Sequence, residues 1–294
     1  MIAGKVLVTG ATGDTGRATV DELLARGHQV RALAHGQDER SKALQDRGVE
    51  VVFGDLLDFG QVRSALSGVH RAYFVYPIRP GILQATAYFA QAAKEAGVDG
   101  IVNMSQKSAR EDANSHAATD HWLSERVFDW SGLAVAHIRP TYFAEWLLYL
   151  APMIKAGLLH VPFGTGKHAP IAAEDMGRVI VGILEDPASH EGQIYPLFGP
   201  VEYTYRETAE ILGRVLGKDV RYKQVDFEEF SKILQGGGKN AGRENSFLFQ
   251  HLKEVAIDHQ NGVFEGTNDL VEKLGGRPPM TLEAFITKNR RAFE

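Results

Sequence analysis

Gly10, Gly13 and Gly16 recur at every third position in the stretch from Lys5 to Gly16, KVLVTGATGDTG, and glycines so placed can bring backbone N–H groups against a phosphate. Lacking a Cβ, each leaves room for a tight turn, for an approaching pyrophosphate or for close packing of helix on strand. Thr12, Asp14 and Thr15 share the turn and are ligand-contact candidates with them. The elements that must position the turn lie on either side of it. Val6, Leu7 and Val8 form an apolar run suited to a strand buried on both faces. From Thr15 onward Val20, Leu23 and Leu24 recur at helical spacing until Gly27. A helix beginning at the turn points its unpaired N–H groups and the positive end of its dipole at whatever the glycines admit. The pattern is G-x-x-G-x-x-G rather than the commoner G-x-G-x-x-G, so a tight connection without a ligand is the alternative. The strand–turn–helix context favours nucleotide binding.

Composition narrows the partners. A chain of 294 residues, 44% of them hydrophobic, can fill one large core or one core with a smaller companion, which excludes a disordered protein. A net charge of −5 without a sustained basic block argues against nucleic acid and anionic membrane, and leaves a small-molecule partner. Monomer and homodimer both stay open. The absence of cysteine excludes disulfides, thiolate nucleophiles and cysteine-ligated metals. No charged-then-apolar leader precedes the first strand, so no signal peptide and a cytoplasmic location are expected. The most apolar later run, Tyr142 to Leu159, is broken by Glu145, Pro152 and Lys155. It falls short of the ~20 apolar residues of a membrane span and is expected to be a buried helix or a pocket wall. Without H-E-x-x-H or G-x-S-x-G, neither a metal site nor a hydrolase is expected.

Strand and helix signals alternate through the first half. Further strands are predicted over 29–34, 49–53, 71–75, 100–104 and 134–138. A helix carries Ile82, Phe89, Ala93 and Ala96 to a stop at Gly97, and Leu123, Val127 and Trp130 mark another ending near Gly132. The alternation predicts an α/β fold with a doubly wound parallel sheet. Such sheets bind ligands beyond the carboxyl ends of their strands. Those ends add Ala34–Gly36, Asp55, Tyr76, Pro77, Ser105 and Pro140–Phe143 to the candidates. Met176 to Leu184 reads as an amphipathic helix and 193–198 as one more strand. From Pro200 a smaller, mostly helical portion follows, with a capping box at Thr204 and Glu207, a short strand over 220–225 and a final helix opened by Thr281. The glycine-rich stretch Gly236 to Gly242 is either a lid hinge or a mobile surface loop.

TGATGDTG, LLARGHQVRAL and VVFGDLLD resemble the atypical short-chain dehydrogenase/reductases, and within them the NmrA-like group, which includes NAD(P)H-dependent quinone and dye reductases and redox-sensing regulators. The likeness continues through IRPTYFAEWLL, IAAEDMGRVIVGILEDP, GQIYPLFGP and GRPPMTLEAF. It implies a Rossmann-type dinucleotide-binding domain over 1–150, rejoined by 171–199. The substrate-binding portion would comprise 151–170 and 200–294, with the substrate in the cleft between. It implies that Gly10, Gly13 and Gly16 line a pyrophosphate, that Asp55 and Leu56 sit near the adenine, and that Tyr76 and Pro77 pass beside the nicotinamide ribose. Pro140 to Phe143, with Tyr142 among them, would close over the nicotinamide. Coenzyme choice is normally written at the end of the second strand. There the family's usual Arg position holds His35, and no acid replaces it. Arg31 lies within the strand and can face either way, while Asp14 would repel a 2′-phosphate if it pointed there. The habit of the reductase relatives tips the choice slightly toward NADP(H) over NAD(H).

The resemblance also marks a departure. Typical members carry Tyr-x-x-x-Lys on the helix after the fifth strand; here Ala117 and His121 stand at those positions, and alanine has no proton to donate. His121 can still bond a ribose hydroxyl. Two function classes follow. One is a reductase passing hydride from NAD(P)H to a quinone-like acceptor, with His121, Tyr142 and Ser105 as candidate catalytic groups. The other is a non-catalytic NAD(P)-binding regulator. The full-length C-terminal portion, with aromatic residues such as a substrate pocket needs, favours the reductase.

Overall fold

The structure, a computed structural model, describes residue 2 and residues 4–236 and 246–294. Its strands are β1 (Lys5–Thr9), β2 (Gln29–Ala34), β3 (Glu50–Phe53), β4 (Val69–Phe74), β5 (Gly100–Met104), β6 (Val135–Pro140), β7 (Leu158–Val161), β8 (Ile194–Leu197) and β9 (Arg221–Gln224). The helices of the first half are α1 (Asp14–Ala25), α2 (Glu39–Gln45), α3 (Phe59–Leu66), α4 (Ile82–Ala96), α5 (His116–Ser131), α6 (Trp146–Tyr149), α7 (Ala151–Lys155) and α8 (Ala173–Glu185). Beyond them come α9 (Tyr205–Leu216), α10 (Phe227–Gly236), α11 (Ser246–Gln260), α12 (Leu270–Gly275), α13 (Leu282–Lys288) and α14 (Arg290–Phe293).

Seven strands form one parallel sheet in the order β3-β2-β1-β4-β5-β6-β8, and β7 pairs with β9 in a separate ribbon. Because successive side chains on a strand point to opposite faces, each central strand feeds two cores. Val6, Val8, Tyr73, Val102 and Ile138 pack on one face with Val20 and Leu23 of α1 and Met176 and Ile180 of α8. Leu7, Phe74, Ile101 and Val135 face the other way, onto Val62, Phe89 and Phe128 of α3, α4 and α5. Each such side chain contributes ~1.5–3 kcal/mol on burial. A third apolar cluster joins Ile154, Leu159, Val161, Tyr205, Leu212, Phe230, Val255 and Ile286.

The expected strands and caps recur with small shifts in their ends. Gly97 and Gly132 close α4 and α5 in the left-handed conformation, and the Thr204–Glu207 capping box opens α9. The run Tyr142 to Leu159 is less uniform than expected. Pro152 sits in the first turn of α7, where its missing N–H costs nothing, so α6 and α7 are separate short helices. Gly157, at φ +75°, then turns the chain into β7, a strand the sequence pattern did not announce. Gly236 ends α10, and the rest of the expected hinge or loop lies outside the described residues. Among the described residues no helix is long and apolar enough to cross a membrane.

Candidate functional site

Strand order reverses between β1 and β4, and the glycine turn leaves β1 at that point. Thr9 clamps the two strand ends together: its Oγ1 donates to the Val75 carbonyl at 2.9 Å and accepts the Val75 N–H at 2.8 Å. Gly10 lies at φ +57°, where a Cβ would come within 2.7 Å of Val75 Cγ1. A Cβ on Gly16 would lie 2.1 Å from the Gly10 carbonyl oxygen, so α1 can approach the turn only with glycine there. Gly13 differs. Its backbone is extended, and an added Cβ would meet only the Gly10 oxygen at 3.4 Å. The fold itself does not demand glycine at 13, whereas a diphosphate seated on the turn would. Among the described residues no side chain caps α1, so its first-turn amides stay available to an anion. These features fit the pyrophosphate of a dinucleotide.

From the turn a cleft of about 320 Å³ runs across the ends of β4, β5 and β6. It brings together Thr15, Tyr76, Pro77, Ser105, His121, Pro140, Tyr142 and Phe143 among the expected residues. Its far wall comes from α11, through Leu248, His251, Leu252 and Val255, and from Phe264. None of the described lining residues is an acid, a lysine or an arginine. Ser105 Oγ, Gln106 Nε2 and Tyr142 Oη are buried without a hydrogen-bond partner among the described residues.

Burial keeps the histidines of the cleft and Tyr142 neutral. Burial, reinforced by His251, pushes the His121 imidazole down to about 3. Tyr142 packs among the rings of Phe163, His168, His259 and Phe264 at centroid distances of 4.7–5.4 Å. Burial first, then Tyr205 and Asp258, raise its hydroxyl well above the usual phenol range, which makes it a poor proton donor at neutral pH. Ala117 is wholly buried against α4 and β4.

Helix α11 is fastened to the loop between β5 and α5. Arg110 grips Asp258 with two bonds of 2.8 Å, and Lys107 Nζ donates to the Val263 carbonyl at 2.8 Å. Gln250 Nε2 donates to the Asn114 carbonyl at 2.9 Å, and Ser115 Oγ meets His251 Nδ1 at 2.7 Å. The spacing of Leu248, His251, Leu252 and Val255 is helical, and it is the one signal in the sequence that could have found this wall.

The remaining candidates lie outside the cleft. Exposed His35 approaches Asp55, Nδ1 to Oδ2, at 3.9 Å. Asp55 also makes a turn, accepting the Leu57 N–H at 2.9 Å, with Leu56 inside it. Arg79, which sequence reasoning missed, lies over the Tyr76 ring and 4.0 Å from Asp55. Arg31 is a correction: its guanidinium is held by Glu50 and by the Ala65 and Ser67 carbonyls at the end of α3, away from the glycine turn. Asp14 accepts from the Tyr149 hydroxyl at 3.3 Å and faces a groove beside α1 rather than the cleft. Half-buried Thr12 stays on the turn.

A parallel sheet of this strand order, with a glycine turn and a cleft at its reversal point, defines a Rossmann-type α/β protein. The chain belongs to the NmrA-like family, whose sequence profile matches residues 3–286. It is 31% identical over 291 residues to an NAD(P)H azoreductase of Xenophilus azovorans, covering 98% of this chain and 99% of that one. It is 30% identical over 292 residues to a (4-alkanoyl-5-oxo-2,5-dihydrofuran-3-yl)methyl phosphate reductase of Streptomyces griseus, covering 98% and 99%. The crystal structure of an NADPH-dependent quinone oxidoreductase from Escherichia coli complexed with NADPH superposes with a TM-score of 0.83 at 25% identity, over 97% of this chain and 99% of that one.

Proposed function

We propose that this protein is an NAD(P)H-dependent reductase that delivers hydride to an uncharged, quinone-like or similarly electron-poor acceptor. The observation that carries this reading is the cleft: it begins at Thr15 beside the glycine turn, and no described lining residue is an acid, a lysine or an arginine. The activities named for the Xenophilus and Streptomyces relatives support it, as does the coenzyme in the Escherichia coli structure.

A bound nicotinamide supplies the hydride. The free amides at the glycine turn and in the first turn of α1 would hold the pyrophosphate, and Asp55 and Leu56 would border the adenine. Tyr76 and Pro77 would flank the ribose, with His121 lining the same cleft, while Pro140 to Phe143 would cover the ring. Leu252, Val255 and Phe264 give the cleft an apolar wall for the acceptor. Neither Ala117 nor neutral His121 offers a proton, so a general-acid contribution of ~10²–10⁴-fold is missing. An acceptor whose reduced anion is already stabilised tolerates that loss, and a simple ketone does not. NADP(H) is slightly preferred over NAD(H), with His35 and Arg79 as the basic side chains beside Asp55.

Buried Ala117 favours a second reading, an NAD(P)-binding regulator without catalysis. Absorbance of NADPH and NADH in single turnover against quinones, azo dyes, aldehydes and ketones separates the two. The reductase reading expects measurable oxidation by quinones and hardly any by ketones. Tight coenzyme binding with no oxidation by any acceptor leaves the regulator.

A further inference from the structure

His251 belongs to none of the strand ends or glycine motifs, yet α11 carries it into the acceptor end of the cleft beside His121. It is 6% exposed, and its Nδ1 lies 2.7 Å from Ser115 Oγ. Ser115 is the N-cap of α5, and its Oγ already accepts the Ala118 N–H at 3.1 Å. The serine hydroxyl therefore still has its own hydrogen to place. Ser115 is 1% exposed, and Nδ1 of His251 is the acceptor within its reach among the described residues. If Nδ1 carried the imidazole proton, the buried hydroxyl hydrogen would have no acceptor, which is the costly arrangement. The hydroxyl thus donates to Nδ1, and a neutral imidazole with a bare Nδ1 carries its proton on Nε2. Burial keeps the ring neutral, pushing it down to about 4 against a smaller upward pull from Asp258. No described residue takes Nε2 in a hydrogen bond, so that N–H is left to the cleft.

We infer that His251, fixed by Ser115 as the Nε2–H tautomer, is the hydrogen-bond donor that receives the acceptor's oxygen as hydride reaches the acceptor. The inference rests on the reductase reading of the same cleft and names the group that reading lacks. The electron balance sets the limits of the role. Hydride leaves the reduced coenzyme with both electrons of its C–H bond and forms a new bond to the acceptor, whose displaced π electrons collect on its oxygen. That oxyanion is what the Nε2–H stabilises. A neutral imidazole is too weak an acid to surrender this proton, as in enzymes that use neutral histidine as an electrophile. Water supplies the proton afterwards and completes the hydroquinone. His251 thus supplies the stabilising half of what a tyrosine does, without the acid half. Because Arg110 and Gln250 pin α11 on either side of it, the donor is positioned before the acceptor arrives.

The test uses the full-length protein, NADPH and a benzoquinone. His251→Phe should lower kcat about 10²-fold, the loss expected when one oxyanion donor is removed, with NADPH affinity unchanged by calorimetry. His251→Gln keeps an N–H donor and should recover at least about tenfold of that loss. A readout independent of turnover is the long-range nitrogen–proton correlation spectrum of the substrate-free protein. It should show His251 protonated on Nε2, and Ser115→Ala should mix its tautomers. An active wild type with an equally active His251→Phe, or a spectrum showing His251 protonated on Nδ1, overturns the inference and leaves the reductase reading standing. Should His251→Phe not fold, the spectrum decides alone. A wild type that binds NADPH and reduces no acceptor overturns both.

Discussion

At one end of the proposed site the consecutive residues Gly10 to Gly16 and the start of a single helix make the glycine turn, from which Thr15 lines the cleft. At the other end Ser105, His121, Tyr142, His251 and Phe264 arrive from separate segments of the chain. The glycine end is specified by where side chains are absent, so a substitution there acts through sterics. The other end, where the proposed reading seats the acceptor, carries histidines and a tyrosine kept neutral by burial, so perturbation there acts through protons and hydrogen bonds. The two ends should therefore fail in different ways.

The largest expected effect is the response of the buried histidines to acid. Burial pushes His251 and His259 down to about 4 and His121 to about 3, and carries His168 well below its usual value. The unfolded chain takes up these protons near pH ~6.5 and the folded chain does not. Stability is therefore complete above that pH and falls as the pH drops through it, until the folded rings protonate. One unit below ~6.5 each ring costs about 1.4 kcal/mol, so several kcal/mol should be lost between pH 7.5 and 5.5. Urea unfolding at the two pH values measures this, and equal stabilities would contradict the burial of these rings. A glycine-end variant should leave the slope unchanged.

Next in size is Gly16→Val. Its Cβ would sit 2.1 Å from the Gly10 carbonyl oxygen, a backbone atom that can yield only if α1 shifts. The expected cost is about 3 kcal/mol of stability, with coenzyme binding lost along with the turn. Gly13→Val should separate what Gly16→Val confounds. At 13 the added Cβ meets only the Gly10 oxygen, at 3.4 Å, and the position is exposed, so stability should change by less than about 1 kcal/mol. Coenzyme affinity should nevertheless fall at least tenfold, or about 1.4 kcal/mol. Titration calorimetry showing full affinity in folded Gly13→Val would remove the diphosphate from the turn.

The smallest expected effect is at His35. His35→Arg would put a bidentate donor after the end of β2, where the proposed reading places the 2′-phosphate, but in an exposed setting where charge pairs are weak. The NADP/NAD affinity ratio should rise by about fivefold, close to 1 kcal/mol. An unmoved ratio would point instead to Arg79.

The same contrast explains what the sequence revealed. The sheet was legible because parallel strands buried on both faces are near-continuous apolar runs, and Val6–Val8 and, with the single polar Asn103, Gly100–Met104 are examples. The glycine turn was legible because its chemistry is local. Arg31 could not be resolved without the structure, since its guanidinium is claimed by carbonyls of α3 that lie far off in sequence. β7 went unseen because its partner β9 is distant and its four residues follow an apolar run that reads as helix. His251 was invisible for the same reason: its meaning depends on Ser115, which only the fold brings near.

One consequence of the strand order concerns synthesis. The chain leaves the sheet after β6, builds α6, α7 and β7 elsewhere, and only later returns to lay β8 beside β6. On the ribosome β6 therefore stays an open edge until Leu197 has emerged, and an amino-terminal fragment ending near residue 150 would keep that edge permanently. The late strand moves the sheet's edge outward to β8, where Pro196 has no N–H to offer and Asn268 Nδ2 takes its carbonyl at 2.8 Å, and a pause in translation before it would leave β6 ready to pair with a neighbouring chain.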